Sequence, residues 1–334
     1  EFLPLLPDIL SGSVLSEDIQ APLCAIAGKC GASFVREKVA GVDAEAGTVK
    51  TSQREETFDY IIVAVGSLPQ FYGNAAAEQY GKTLNSVKNA VAIREGIIRE
   101  EVETVVVCGG GYTGVEAMTH IWKLLHREKM KRRLVIVNKG ATLVPTLPGW
   151  VQRYVEKQVQ VLGIEVKNNA KVVSGDEKTV VCSDGSEYNN AFLVWTAGVQ
   201  VPSLLQGEVD ATSQGRIKVD AHMRAAARCY IVGDMAAVYD ERKQLVRMGA
   251  QFSVPQGKCA ARNIVRDIIG RAPVVYTARD LGYIIPMAHN KSCGEVLGVP
   301  IRGRMATALH YIMSVIRFPD LKARLRLIRG LKVT

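Results

Sequence analysis

A stretch reading VVVCGGGYTGVEAM, residues 105–118, limits what this chain can fold into more than any other. Its apolar opening reads as a strand buried on both faces. A run of three glycines follows, and then an amphipathic segment of helical period. Gly109, Gly111 and Gly114 have the spacing G-x-G-x-x-G. Gly109 permits the tight turn, Gly111 lets the backbone approach a pyrophosphate, and Gly114 allows a helix to pack closely on the strand. The helix N-terminus adds unpaired N–H groups and a partial positive charge, which suit phosphate. The plain alternative is a tight strand-to-helix turn with no ligand. The well-marked strand before it and helix after it favour the dinucleotide site.

Strands and helices continue to alternate after this turn. RRLVIVNKG is the next strand, reached through the basic connection HREKMKRR. GWVQRYVEKQVQVLGIEV is a helix that runs through Gly163 into a strand. KTVVCSDGSEY is a hairpin turning at Asp184-Gly185, and NAFLVWTAGVQVP is a buried strand ending at Gly198. Such alternation implies a mostly parallel sheet wrapped by helices. About a hundred residues precede the turn. SEDIQAPLCAIAGKCG reads as a helix capped by Ser16 and stopped by Gly31, and ASFVREKVAGVDAEAGTVKT as a hairpin. FDYIIVAVGSLP reads as a fully buried strand closed by Gly66 and Pro69, and SVKNAVAIREGIIREE as an amphipathic helix. Later, residues 229–232 form another buried strand, ended by Gly233-Asp234.

At 334 residues the chain has room for two or three domains. With 48% hydrophobic and 22% charged residues it forms a core rather than a disordered chain. A net charge of +9 points to an anionic partner: a nucleotide, a nucleic acid or a membrane surface. No nucleic-acid recognition motif or aromatic platform appears, which removes nucleic acid. The seven cysteines contain no CxxC and are odd in number, so neither a disulfide framework nor a metal site is expected. Free buried thiols in a reducing, cytoplasmic compartment fit best. No apolar run reaches the ~18 residues that cross a bilayer, and no signal peptide is recognisable. The first residue is Glu1 rather than methionine, which suggests a processed or truncated start.

VAVGSLP, VWTAGVQVP and YIVGDMAAV each set a strand end against a glycine. Together with GGGYTGVE, their order resembles the two-dinucleotide-binding flavoprotein family, in which a nucleotide domain is inserted within a flavin domain. The closer resemblance is to type II NADH:quinone oxidoreductases, single-subunit, non-pumping respiratory dehydrogenases. It is carried by FLPLLPDILSGSVLSEDIQAPL, GGGYTGVE, VWTAGV, VGDMA and GAQFSVPQGKCAARNI, and extends over nearly the whole chain.

The resemblance implies an α/β fold with two Rossmann-like domains and a C-terminal basic amphipathic helical tail. The FAD domain would occupy residues 1–100 and 223–275. The NAD(P)H domain would occupy 101–222 and a membrane-associating region 276–334. FAD and NADH are the implied cofactors, and quinone the acceptor. Gly66 and Gly198 would close the two domains, and Asp234, after Gly233, would hold the flavin's ribityl and phosphate region. A helix cap is the alternative for Asp234. Glu116 would position the nicotinamide and relay a proton; alternatively it offsets the helix dipole. The family's quinone pocket carries an Ala-Gln pair and a second Gln four residues on. Here Ala250-Gln251 fits, Pro255 takes the second position, and Gln256 follows. An ordinary polar residue at a helix start is the alternative for Gln251. The family's first glycine-rich turn lies upstream of FLPLLP. A strand–turn–helix–strand of roughly 35–40 residues is therefore expected to be lacking from the chain as given, which bears on FAD binding.

After the third glycine by about two dozen residues come Asn138-Lys139, where NADH-preferring domains place an acid. Asn138 can hydrogen-bond a ribose and Lys139 can tolerate a 2′-phosphate, so NADPH is expected to be accepted as well. Two rival functions stay open. One is a sulfide:quinone oxidoreductase-like flavoprotein, which needs paired redox cysteines; Cys293 lies in the right region, but Cys182 sits in a hairpin. The other is a nucleotide-binding remnant without turnover.

In the tail, Met305, Leu309, Ile312, Met313 and Ile316 share one helical face. Pro319 breaks the run. Leu321, Leu325 and Ile328 form a second stripe flanked by Lys322, Arg324, Arg326 and Arg329. Fourteen helical residues reach about 21 Å against a hydrocarbon core of about 30 Å. Residues 304–334 are therefore expected to lie in the headgroup layer of an anionic membrane, peripherally on the cytoplasmic face of the cell membrane. The alternative is packing on the protein or a homodimer seam.

Overall fold

The structure, a computed structural model, describes residues 1–206, 210–318 and 321–330, the last segment without the side chains of 321–323 and 330. The chain forms two compact units. The first gathers Glu1–Ile26, Pro69–Gly198 and the described residues from Gly282 onward. The second gathers Ala27–Leu68 and Val199–Leu281.

A five-stranded sheet organises the first unit. Its order is Lys82–Thr83, Ala191–Trp195, Thr104–Cys108, Arg133–Val137 and Glu165–Lys167, and every pairing is parallel. Parallel neighbours require crossovers, and two helices supply them. Tyr112–Arg127 follows the Thr104–Cys108 strand, and Gly149–Val161 follows Arg133–Val137. Val105, Val106 and Val107 are completely buried, because both faces of the sheet are covered. Met118, Ile121 and Leu124 of the Tyr112–Arg127 helix pack on one face. Each buried side chain of this kind contributes roughly 1.5–3 kcal/mol of transfer free energy. A three-stranded antiparallel sheet of Val172–Gly175, Val180–Cys182 and Glu187–Tyr188 covers the other face.

The borders of the units run otherwise than the expected domain borders at 100, 222 and 275. Packing gives the reason. Leu5, Leu6, Ile9 and Leu10 of the opening segment are buried in the same core as Ile93, Met118 and Ile121. The Leu6–Ser11 helix lies against the Val87–Ile97 and Tyr112–Arg127 helices. The residues after Leu281 form an antiparallel sheet of Gly282–Ile285, Cys293–Val296 and Val299–Arg302, followed by the Arg304–Arg317 and Leu321–Gly330 helices. Phe318 is buried beside Phe2, with ring centroids 5.2 Å apart.

Two local expectations need correction. The single helix from Ser16 to Gly31 is instead a 3-10 turn at Ser16–Ile19 and a separate helix at Leu23–Lys29, and Ser16 caps neither. Pro22 disfavours helical backbone at the residue before it, which accounts for the break. The strand in FDYIIVAVGSLP is only Ile61–Val63, and Ile62 is 39% exposed. It is the edge strand of its sheet in the second unit, so burial is incomplete there. That strand runs parallel to Cys229–Ile231, which pairs antiparallel with Arg224–Ala226. A second sheet of Leu205–Gln206, Val39–Asp43, Thr48–Thr51 and Glu55–Thr57, a parallel pair of Ile217–Lys218 and Ala236–Ala237, and the long Ala250–Ile268 helix belong to the same unit. Among the described residues no helix is long and apolar enough to cross a membrane.

Candidate functional site

The glycine turn is shaped by backbone. Gly109 has φ of +124°, which favours glycine, and a Cβ there would meet Thr196 Oγ1 at 2.7 Å. Its N–H donates to the Val137 carbonyl at 2.9 Å, and Thr196 Oγ1 donates to the Cys108 carbonyl at 2.9 Å. Both neighbouring strands thus clamp the turn. A Cβ on Gly114 would run into the Gly109 carbonyl. At Gly111 a Cβ would meet nothing within 4 Å. Gly111 also precedes the Tyr112–Arg127 helix without capping it through a side chain, so the opening turn can donate N–H groups to an anion. A tight turn beside open space is the form a dinucleotide pyrophosphate needs.

Asn138 follows the next strand, but its side chain is turned inward. It is buried, and its amide nitrogen donates to Gly140 O, Thr142 O and Asn168 Oδ1 at 3.0, 2.8 and 2.8 Å. Its Oδ1 accepts from the Gly140 N–H at 3.3 Å, and the side chain lies against Gly110. The expected ribose bond from Asn138 is therefore replaced by a brace under the loop; Lys139 is exposed. Gly198 lies beneath the Tyr72 phenol, and its carbonyl accepts from Gln70 N at 3.0 Å.

Glu116 stands in the second turn of the glycine-turn helix, which begins at Tyr112 and has no acid in its first turn. A helix-dipole role is weak there, because that effect fades beyond the first turn. Glu116 is half-buried. Desolvation first, and then the nearby Asp8 carboxyl, push its own carboxyl well above the ordinary range. Asp8 belongs to a buried polar group that sequence reading did not pick out: Asp8, Ser11, Ser13, His120 and Tyr311. The signal that could have found it is the row Glu116, His120, Lys123 along one helix, at spacings of four and three.

The second unit holds a different set. The Ile61–Val63 and Cys229–Ile231 strands run in parallel register, and each soon meets a left-handed glycine: Gly66 at φ +71° and Gly233 at φ +74°. Open space lies at Gly66. Ser67 Oγ donates to Asp234 Oδ2 at 3.0 Å, and Asp234 lies within the Gly233–Met235 turn, whose N-cap is Val232. An acid at the carboxyl ends of two parallel strands, with room beside it, fits the ribityl and phosphate region of a flavin. Gln256 is buried, and its Oε1 accepts from the Gly233 N–H at 2.7 Å. Through this bond it pins the turn. Arg216 is buried too, and donates to the carbonyls of Ala236 and Val246 at 2.6 to 3.1 Å. Gln251 is half-buried; its Nε2 donates to Asp280 Oδ1 at 3.4 Å and its Oε1 accepts from Leu281 N at 3.3 Å.

The cysteines do not suit redox catalysis. Cys24 and Cys30 are exposed and the other five are buried, all as free thiols. Burial pushes Cys182 up to about 11 and Cys293 to about 12, away from the reactive thiolate. The sulfide:quinone alternative loses its required pair.

Comparison with known proteins gives the family and the fold. Residues 16–257 match the family described as pyridine nucleotide-disulphide oxidoreductase. A type II NADH:quinone oxidoreductase of Staphylococcus aureus is 23% identical over 329 residues, covering 91% of this chain and 82% of the relative. Among solved structures, NDH2 from Plasmodium falciparum in complex with NADH has a TM-score of 0.86 at 14% identity, covering 99% of this chain and 90% of that one. An NAD-dependent persulfide reductase from A. fulgidus has a TM-score of 0.75 at 20% identity, covering 88% of this chain and 57% of that one. These structural likenesses show the fold, and the expected α/β architecture with two dinucleotide-binding folds holds.

Proposed function

The chain belongs to the pyridine nucleotide-disulphide oxidoreductase family, and from that premise we propose that it oxidises NADH and passes two electrons to a membrane quinone, without pumping protons. The observation that carries this reading is the clamped turn at Gly109 with open space at Gly111, and Glu116 on the same helix. The S. aureus relative carries the same activity in its name. In this reading the turn and the helix N-terminus hold the NADH pyrophosphate, and Gly114 brings the helix close enough to do so. Glu116 positions the nicotinamide and holds a proton, since its environment keeps its carboxyl neutral beyond the usual pH range. Gly66, Gly233 and Asp234 hold the flavin side, with Ser67 orienting the Asp234 carboxylate and Gln256 fixing the turn beneath it. FAD, when bound, supplies the hydride acceptor and the electron relay. Gln251 is the residue proposed to face the quinone.

The tail supports peripheral attachment to the membrane, and we propose the cytoplasmic face as the side it occupies. Met305, Ile312 and Ile316 are exposed at 63, 54 and 56%, and Leu325 and Ile328 are exposed as well. Leu309 and Met313 are half-buried at the edge of this face. Exposed apolar residues beside Arg304, Arg326 and Arg329 suit a helix at an anionic headgroup layer. Pro319 and the side chains of Leu321 and Lys322 lie outside the described residues.

The test is turnover by the purified chain with NADH and a short-chain quinone, following flavin absorbance. Yellow protein that is bleached by NADH and restored by quinone supports the reading. Protein that binds NADH but takes up no added FAD and turns nothing over supports the remnant. Gln251→Ala should impair restoration by quinone more than bleaching by NADH; equal losses would make Gln251 structural. Anionic vesicles should bind the chain less at high salt. Indifference to such vesicles at low salt, with dimers in solution, would turn the tail into a dimer seam.

A further inference from the structure

The row of Glu116, His120 and Lys123 costs the glycine-turn helix apolar packing on that side, so something must offset the desolvation. The offset is a chain of hydrogen bonds from two other helices. Asp8, on the Leu6–Ser11 helix, is 1% exposed. Tyr311, on the Arg304–Arg317 helix, donates its hydroxyl to Asp8 Oδ1 at 2.6 Å. His120 Nε2 lies 3.9 Å from the same oxygen. On the other side of the ring, His120 Nδ1 is 2.8 Å from Ser11 Oγ, and Ser11 Oγ is 2.8 Å from Ser13 Oγ. Lys123 Nζ donates to Ser13 Oγ at 3.2 Å. Ser11, Ser13 and His120 are buried and Lys123 is half-buried, so the chain runs from the edge of the unit to its interior.

One atom in this network is left over. Asp8 Oδ2 is buried and has no hydrogen-bond partner among the described residues. An ionised carboxylate with a bare oxygen in such a place costs far more than a protonated one. We propose that Asp8, held by Tyr311, is a buried proton store behind Glu116, refilled from solvent through Lys123, Ser13, Ser11 and His120, the last step crossing the 3.9 Å from His120 Nε2 to Asp8 Oδ1. The inference rests on reading Glu116 as the residue beside the reacting rings.

The stoichiometry asks for such a store. NADH, a quinone and one proton give NAD⁺ and the quinol. NADH supplies both electrons and one hydrogen, and the second proton comes from solution. The store hands that proton towards Glu116, leaving Asp8 as a carboxylate that the Tyr311 hydroxyl stabilises. The environment suits the role. Burial, opposed by Tyr311 and Lys123, pushes the Asp8 carboxyl up to about 7, so both protonation states are present near neutrality. Burial pushes the His120 imidazole down to about 3, so it passes protons as a neutral ring. The charged and titratable groups around Asp8 are Glu116, His120, Lys123 and Arg127 from the glycine-turn helix, and His310 and Tyr311 from the Arg304–Arg317 helix. Arg94, from the Val87–Ile97 helix, lies beside Gly12 at the end of the Leu6–Ser11 helix.

An infrared pH titration of the whole chain tests the store without turnover. A protonated-carboxyl band should disappear with a midpoint near 7 and be absent from Asp8→Asn. Tyr311→Phe removes a donor that favours the charged form, so the midpoint should move up. Absence of an Asp8-dependent band, or an unmoved midpoint in Tyr311→Phe, would overturn the store. In the flavin-loaded enzyme, Asp8→Asn should slow reoxidation by quinone about tenfold or more beyond any effect on reduction by NADH. Equal effects on both would mean a structural role. Glu116→Gln separates the underlying reading: if it alters neither half-reaction while the Asp8 band is present, the placement of Glu116 is what fails.

Discussion

The two glycine turns that end the parallel strands are built in opposite ways. At Gly109 the turn is held by backbone and by what glycine lacks: side chains there would strike Thr196 and the Gly109 carbonyl itself. At Gly233 the turn is held by side chains reaching in. Gln256 takes its N–H, Ser67 holds the Asp234 carboxylate, and Arg216 ties down the carbonyls that follow. The first turn depends on three glycines within six positions, with the Val137 carbonyl and Thr196 clamping it from the neighbouring strands. The second depends on partners 23 and 167 residues away. A turn of the first kind tolerates no added atom, whereas a turn of the second kind can be loosened one bond at a time.

Gly114→Ala tests the first half of this contrast and should have the largest effect. The new methyl meets backbone that cannot rotate away, so the helix must lift from the strand. A loss of about 3 kcal/mol or more is expected, with loss of NADH binding. All three tryptophans, Trp122, Trp150 and Trp195, lie in the first unit, so their fluorescence in urea reports on it. An unchanged midpoint would show that the turn has slack and remove the contrast.

Gln256→Leu tests the other half. It leaves the half-buried Gly233 N–H without its partner, at a cost of about 1 kcal/mol. Flavin affinity should fall while the first unit's urea midpoint stays put. If quinone reduction falls with flavin affinity and stability intact, Gln256 serves the acceptor and the turn has another support.

The same contrast explains how much can be read from the sequence. The Gly109 turn, its flanking strand and helix, and the antiparallel hairpin at Asp184-Gly185 are legible because each is fixed by neighbours in sequence. Gln256 is legible as a position but not as a role, since its partner is set by how the Ala250–Ile268 helix docks on the Gly233 turn. Asn138 misleads for the same reason: its three acceptors lie in the loop beneath it and at Asn168. Asp8 and Tyr311 are 303 residues apart, and no local pattern links them.

A third test concerns pH. Asp8, raised to about 7 from 3.8, contributes stability at acid pH that is lost as pH rises to about 7. His120, lowered to about 3 from 6.5, contributes stability above 6.5 that is lost as pH falls towards 3. Between about pH 4 and 6.5 the two slopes oppose each other. His120→Gln should remove one of them, so that first-unit stability falls steadily as pH rises through that window. A variant with the same pH dependence as the wild type would show that the pair does not titrate in this way.

The smallest expected effect is on nucleotide choice, where the first turn offers least. Phosphate binding there uses backbone, which reads a pyrophosphate but not the ribose 2′ position. Discrimination must come from the end of the Arg133–Val137 strand, and Asn138 is spent on the loop. The exposed Lys139 is then the nearest side chain in sequence with a charge to offer, and it favours a 2′-phosphate. We expect NADH to be preferred over NADPH by less than about a hundredfold, or about 2.7 kcal/mol. Lys139→Asp should widen that preference about tenfold, because it removes an attraction and adds a repulsion. Since Lys139 is exposed, the gain should shrink as salt rises. A wild-type preference well above a hundredfold would mean that a residue outside this strand end reads the ribose. A Lys139→Asp variant with unchanged selectivity at low salt would mean that the second strand plays no part in the choice.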